Sequence, residues 1–284
     1  MTRTAISPRL AMRIFFSTSV YVYGMSTPHA TPEALKSPKN RAWPPGWTVR
    51  HVQETGSTNA DLIEYCAVGE QAWPDRSVLV ADHQTAGRGR LGRGWEAPAG
   101  ANLLATALFR RNDGHLHALT QKIGLAIVLA VREVARLGAL EQVTLKWPND
   151  VLLAGRKLSG VLAQACLDAE NDVVAVVVGF GVNVGWCPDD AAKVGDAVTP
   201  HELLFAVLHK FDELDALDPA QFHAMYKSNL ATLGERVRVD LPTGESITGT
   251  AVDVATDGEL KLVDACALTH LISAGDVVHL RPAP

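Results

Sequence analysis

Residues 87–95 read Gly87-Arg88-Gly89-Arg90-Leu91-Gly92-Arg93-Gly94-Trp95, with four glycines and three arginines in nine positions. Glycine lets the backbone approach a ligand closely. Arginine offers a planar fork of donors that fits carboxylate and phosphate. Together they describe a loop that wraps a small anion. A solvated basic loop, or an arginine–glycine segment that touches nucleic acid, is the competing reading. Two features weigh against it. The run is short and unrepeated, and it lies between two strand-like segments, 77–82 and 102–109. Loops held by rigid elements carry function disproportionately.

Four further segments offer related chemistry. Lys146-Trp147-Pro148-Asn149-Asp150 puts a cation, an aromatic ring and a carboxylate around a strand-end turn. Arg156-Lys157-Leu158-Ser159-Gly160 follows as a hairpin return. Gly179-Phe180-Gly181-Val182-Asn183 ends an apolar strand with two glycines, and Gly56-Ser57-Thr58-Asn59 supplies hydroxyl and amide groups. Each alone reads equally well as a turn, a solvated lysine or a packing glycine. Their co-occurrence in one chain is what points to a site.

The elements that must position them follow from periodicity and punctuation. Strands are expected at 48–53, 77–82, 102–109, 143–147, 151–153, 160–167 and 173–178, the last continuously apolar and therefore central. Residues 55–59 supply turn and N-cap groups for a helix ending at Cys66. Ile123, Ile127, Ala130, Val134 and Leu137, at spacings of four and three, predict a helix over 119–137. Thr199-Pro200-His201-Glu202 combines a capping box with Pro at the first helical position. It opens a helix to about 214, and a second runs over 219–230. From Leu233 onward short β-rich runs alternate with turns, including Asp257-Gly258, a hairpin signal. A small β-barrel is expected there. Residues 1–46 are expected to be a disordered or linker-like extension, since 26–46 is rich in Pro, Ser, Thr and Lys. The apolar stretch 14–23 is broken by Ser17, Thr18 and Ser19, unlike a signal-peptide core. Met25 also offers a second start, which would make 1–24 spurious.

Bulk composition narrows the function classes. The chain has 284 residues and a net charge of −5. The basic loop is thus local, and neither nucleic acid nor a membrane surface is an expected partner. No apolar run reaches the length of a membrane helix. Cys66, Cys166, Cys187 and Cys266 are scattered without a CxxC pair, so a reducing compartment is expected and no zinc or disulfide framework. The ten histidines show no metal-site spacing, and His115 with His117 reads as a surface turn.

The five segments, in this order, closely resemble those of the biotin protein ligases, the biotin–[acetyl-CoA-carboxylase] ligases. The matching residues are Gly56–Asn59, Gln84-Thr85-Ala86-Gly87-Arg88-Gly89-Arg90 through Trp95, Lys146–Asp150, Arg156–Gly160 and Gly179–Asn183. The resemblance spans about 47–282. It implies an α+β fold: a mixed-sheet catalytic domain flanked by helices, of the class II aminoacyl-tRNA synthetase and biotin protein ligase type, over 47–231. An SH3-like C-terminal barrel over 232–284 would follow. Bifunctional members carry an N-terminal winged helix that binds operator DNA. Residues 1–46 lack its helical periodicity, so a ligase without the repressor function is expected. A lipoate-type acyl ligase of related fold and a biotin-sensing transcriptional regulator are the rival readings.

The resemblance also implies a mechanism. Biotin's carboxylate attacks the α-phosphorus of ATP, giving biotinyl-5′-AMP and pyrophosphate. A carrier-protein lysine then takes the acyl group and releases AMP. The first step gathers negative charge and needs fixed cations and Mg²⁺. Arg88, Arg90, Arg93 and Lys157 are the candidates. Gly87 and Gly89 would shape the biotin–phosphate loop. Ser57, Thr58, Asn59 and Gln84 would bind the uncharged ureido ring. Trp95 would close over the adenylate, and Asn149 would sit near phosphate or metal. Gly160, Gly179, Gly181 and Asn183 would line the pocket. Asp150 would orient the incoming lysine and accept its proton, with Lys157 and Arg90 acting on the phosphate. The expected partner is a biotin carboxyl carrier protein, the expected compartment the cytoplasm, and the resemblance allows a homodimer. No protein-held metal is expected beyond Mg²⁺ carried by the nucleotide.

Overall fold

A computed structural model describes residues 31–38, 41–66, 71–110, 116–135, 137–138, 141–168 and 172–279. Much of the N-terminal extension, including 1–30, and His115 lie outside the described residues.

The larger unit is built on one eight-stranded sheet. Its strands are β1 (Glu33–Ala34), β2 (Thr48–Thr55), β3 (Ser77–Gln84), β4 (Leu103–Phe109), β5 (Val143–Lys146), β6 (Asp150–Leu153), β7 (Arg156–Leu167) and β8 (Val173–Val182), in the order β1-β2-β3-β4-β8-β7-β6-β5. Only β2 and β3 run parallel; the other neighbours are antiparallel. The sheet is mixed, as expected. β8 lies in the interior, and alternate side chains serve two cores. Val176 and Val178 face the larger core with Val80, Ala105 and Ile127. Ala175 and Val177 face a smaller one with Leu62, Leu79 and Cys166.

Helix α1 (Thr58–Cys66) covers the smaller core, placing Leu62 and Cys66 inward. Helices α2 (Leu116–Val134) and α3 (Pro200–Asp215) cover the other face, followed by α4 (Pro219–Ser228). The capping box at the start of α3 forms as read from sequence. The Thr199 hydroxyl accepts from the Glu202 N–H, and the Glu202 carboxylate accepts from the Thr199 N–H.

Several boundaries differ from the sequence reading. β2 continues to Thr55, and α2 begins three residues before the expected 119 and ends at Val134. β7 starts at Arg156, so the Lys157 segment is strand rather than a preceding return. β8 does not end at Val178 but carries Gly179 and Gly181 inside it. Within the stretch read as linker, Glu33 and Ala34 pair with His51 and Arg50, and the Trp43 ring packs 6.0 Å from that of Phe205. Pro and Lys content hid those contacts, because the partners lie in distant segments. His117 stands on α2, with its Nε2 3.1 Å from the Thr256 carbonyl, rather than in a turn.

The smaller unit is a five-stranded antiparallel sheet. Its strands are β9 (Arg236–Asp240), β10 (Ser246–Val254), β11 (Leu260–Val263), β12 (Thr269–Ile272) and β13 (Asp276–His279), in the order β12-β11-β10-β9-β13. Asp257-Gly258 makes the β10–β11 turn, and Gly258 takes the positive φ that such a turn demands. This unit is joined to the larger one by specific contacts. The Trp147 backbone N–H donates to Thr232 Oγ1 at 3.0 Å, and its indole N–H donates to the Gly258 carbonyl at 2.9 Å.

Candidate active site

The start of α1, the C-terminal end of β3, the hairpin at 88–94, the start of β6, the first half of β7 and the C-terminal part of β8 surround one cavity of about 260 Å³. Of the residues named from sequence, all but Gly87 line it; Gly87 borders an adjoining shallow cavity behind the hairpin.

One end is walled by uncharged polar groups. Thr58 sits on the first turn of α1, where its N–H donates to Gln84 Oε1 at 2.8 Å and its hydroxyl lies 3.0 Å from the same atom. The Thr106 hydroxyl, on β4, lies 2.8 Å from Thr58 Oγ1 and 2.6 Å from Asn59 Oδ1. Asn59 donates to Gln164 Oε1 at 2.9 Å and to the Leu162 carbonyl at 3.2 Å. Buried amides and hydroxyls hold such positions only when satisfied, so the chain Gln84–Thr58–Thr106–Asn59–Gln164 is a preorganised rim. A Cβ at Gly179 would fall inside the Asn59 amide, which is why that strand position is glycine.

The other end is cationic. The Lys157 ammonium lies 2.7 Å from Asp150 Oδ1 and 5.8 Å from the centre of the Trp95 ring. Trp95 packs against Gly160 and Gly181, and a Cβ at Gly181 would collide with its indole. The indole Nε1 is buried with no hydrogen-bond partner among the described residues. Arg90 donates to Asn149 Oδ1 at 3.1 Å, while Asn149 Nδ2 donates to the Val161 carbonyl at 2.7 Å. Burial pulls the Arg90 guanidinium below its ordinary pKa, and Asp276 and Asp150 oppose that. Asn183 closes the far side, donating to the Ala192 carbonyl at 3.0 Å and accepting from Asn102 at 3.3 Å.

The Arg–Gly segment is a small hairpin. Arg88 and Gly94 form a β-bridge, the Trp95 N–H donates to the Gly87 carbonyl at 2.9 Å, and Leu91 and Gly92 turn the tip at positive φ. Its charges are held from the smaller unit. Arg93 pairs with Asp276, and Arg90 donates to the Gly275 carbonyl at 3.2 Å. Arg93, a candidate phosphate cation, lines the cavity with a side chain that is 64% exposed and engages the Asp276 carboxylate. Asp276→Ala is therefore expected to loosen the hairpin, increasing trypsin cleavage after Arg88, Arg90 and Arg93, with protection restored by biotin plus ATP. Identical cleavage rates for wild type and variant would show that the pair does not hold the loop.

Sequence reading also missed wall residues. Glu96, Pro188, Asp190, Ala191 and Asp276 line the cavity. Glu96 follows the matched motif directly and could have been included. The 188–191 segment reaches the site by pairing with Lys157, and Asp276 by folding of the second unit. No local pattern announces either. Asp150, assigned to an incoming amine, also carries the ion pair with Lys157, so it orients that ammonium as well.

Residues 53–183 match the model of the Biotin/lipoate A/B protein ligase family, and residues 232–280 match that of the Biotin protein ligase C terminal domain. The chain is 39% identical over 247 residues to the biotin–[acetyl-CoA-carboxylase] ligase of Mycobacterium tuberculosis, covering 81% of this chain and 88% of that protein. It is 33% identical over 210 residues to the ligase of the same name from Paracoccus denitrificans, covering 68% of this chain and 85% of that one. Among solved structures, biotin protein ligase from Aquifex aeolicus in complex with biotin and ATP superposes with a TM-score of 0.67 at 28% identity, covering 82% of this chain and 99% of that one. With matches on both folded units and a relative aligned across most of both chains, the chain belongs to the biotin protein ligase family.

Proposed function

We propose that the protein is an ATP-dependent biotin ligase that makes biotinyl-5′-AMP and transfers biotin to a lysine of a biotin carboxyl carrier protein. The observation that carries this reading is the division of one cavity. Uncharged amides and hydroxyls of Thr58, Asn59 and Gln84 wall one end, and Arg90 and Lys157 stand at the other. Biotin has the same division, with a neutral ureido head and an anionic tail.

In this reading Lys157 and Arg90 hold the biotin carboxylate against the α-phosphate and stabilise the charge that builds during attack. Arg88 lines the same wall and adds to that field. Trp95 covers the adenylate, and its buried indole N–H is a donor for it. Glu96, Asp190 and the Asn149 amide supply oxygen donors on the wall, which suit a hard cation, and Mg²⁺ arriving with ATP would screen the phosphates there. Asp150 keeps Lys157 oriented, then serves the neutral amine of the acceptor, since a free lysine has a pKa near 10.4. No described helix is long and apolar enough to cross a membrane. The reading places the protein in the cytoplasm, where ATP and carrier protein meet.

The experiment is incubation of the protein with labelled biotin, Mg-ATP and a biotin carrier domain, with lipoate and a lipoyl domain in parallel. Label should enter the biotin carrier only. Transfer of lipoate instead would assign the cavity to an acyl chain.

A further inference from the structure

Outside this cavity, three side chains from separate elements meet on the face of the sheet that α3 covers. His51 comes from β2, Asp82 from β3, and His201 from the first turn of α3. His51 Nε2, Asp82 and the His201 imidazole offer ligand atoms that all lie within 4.8 Å of one another. From this geometry we infer that His51, Asp82 and His201 form a site for Zn²⁺, separate from the nucleotide's Mg²⁺.

Register explains why they meet. His51 follows Val49 by two positions on β2, and Asp82 follows Val80 by two on β3, so both continue rows that point into the larger core. There the apolar row runs out, and the first turn of α3 brings His201 over the end of the sheet. The His51 and His201 rings stand 6.0 Å apart, nearly perpendicular. All three residues are half-buried, which leaves an entry path for an ion.

The contact between His51 and Asp82 is incomplete as a hydrogen bond. Their atoms approach to 2.9 Å, yet His51 Nε2 is shielded from solvent and has no hydrogen-bond partner among the described residues. The approach is off the line that a shared proton requires. A shielded ring nitrogen whose carboxylate neighbour makes no aligned hydrogen bond is under-satisfied, and a metal ion is one group that satisfies it.

The donor set selects the ion. Two imidazoles and one carboxylate suit Zn²⁺ and its first-row neighbours, whereas Mg²⁺ and Ca²⁺ demand mostly oxygen. A tetrahedral zinc, with bonds of about 2.0–2.2 Å, sets its ligand atoms roughly 3.3–3.6 Å apart. His51 Nε2 and Asp82 lie 2.9 Å apart and all three ligand atoms lie within 4.8 Å, so an ion would widen that pair and draw His201 inward. Three protein ligands leave a fourth position for water. The ion would tie β2, β3 and α3 together at Asp82, two residues before Gln84 enters the biotin end of the cavity.

The test uses the full chain, stripped by chelator and desalted. Titration with Zn²⁺ is followed by calorimetry, and thermal unfolding is recorded with and without the metal. Co²⁺ serves as a spectroscopic probe. One equivalent should bind, raise Tm and give Co²⁺ visible absorption of tetrahedral intensity. His51→Ala and His201→Ala should each abolish the binding and the Tm rise. His270→Ala, at the His270–Asp264 pair elsewhere on the surface, should leave both intact. If either alanine variant unfolds, His201→Gln and Asp82→Asn replace it, with circular dichroism as the folding check. Stoichiometric zinc binding that survives both histidine changes, loss of binding in His270→Ala, or no binding by the wild-type chain would each overturn the site.

Discussion

Lys157→Ala is expected to slow adenylate formation by about 10²–10³, the factor that follows loss of a donor aimed at developing charge, roughly 2.7–4 kcal/mol. The lysine stands at the cationic end of the cavity with its ammonium 2.7 Å from Asp150. Its removal takes away a cation and leaves a carboxylate facing the phosphate, so two effects act in the same direction. Pyrophosphate release measures the first half-reaction, and transfer from preformed biotinyl-AMP measures the second. Asp150→Asn separates the roles of the pair. If Asp150 serves only the acceptor amine, the variant slows transfer alone. Because it also positions Lys157, both half-reactions should slow, the second more. An unaltered rate of pyrophosphate release in Lys157→Ala would remove that residue from the chemistry.

Gly179→Ala is expected to act at the opposite end. The added methyl would occupy the space of the Asn59 amide, which holds Thr106, Leu162 and Gln164 together. Overpacking costs about 1–3 kcal/mol, and each buried hydrogen bond broken without replacement costs about as much again. The KM for biotin should rise about tenfold or more, since every 1.4 kcal/mol is a factor of ten. The KM for ATP should change far less. Equal increases for both substrates would mean that the rim is structural and does not read the biotin head.

The two variants also mark what could be read from residues alone. Every motif segment contributes to the one cavity, because each carries its own local signal: glycine pairs for close approach, Arg–Gly alternation, a strand-end turn. The apolar runs likewise placed β3, β4 and α2 with small boundary errors, and the N-cap residues placed α1. What escaped was set by contacts distant in sequence. Gly179 and Gly181 looked like a strand end, since glycine is poor in strand interiors; only Asn59 and Trp95 lying against them explains their place within β8. Thr106 and Gln164 looked like ordinary strand residues until Asn59 joined them. Histidine spacing showed no metal site, because His51 and His201 lie 150 positions apart and only sheet register and the approach of α3 bring them together. β1 was hidden by linker composition.

The contact of Arg93 with Asp276 has a consequence for the order of synthesis. Residues 57–191 supply every other wall of the cavity, whereas Asp276 is made well after them. Domains fold from the N-terminus as they emerge from the ribosome. A nascent chain can therefore assemble the substrate rim and the Lys157–Asp150 pair while the arginine hairpin has the Arg90–Asn149 contact but still lacks its clasp on Gly275 and Asp276. The hairpin would reach its resting form only once β13 has left the ribosome, so that a chain cut short before β13 is born with its anion loop loosely held.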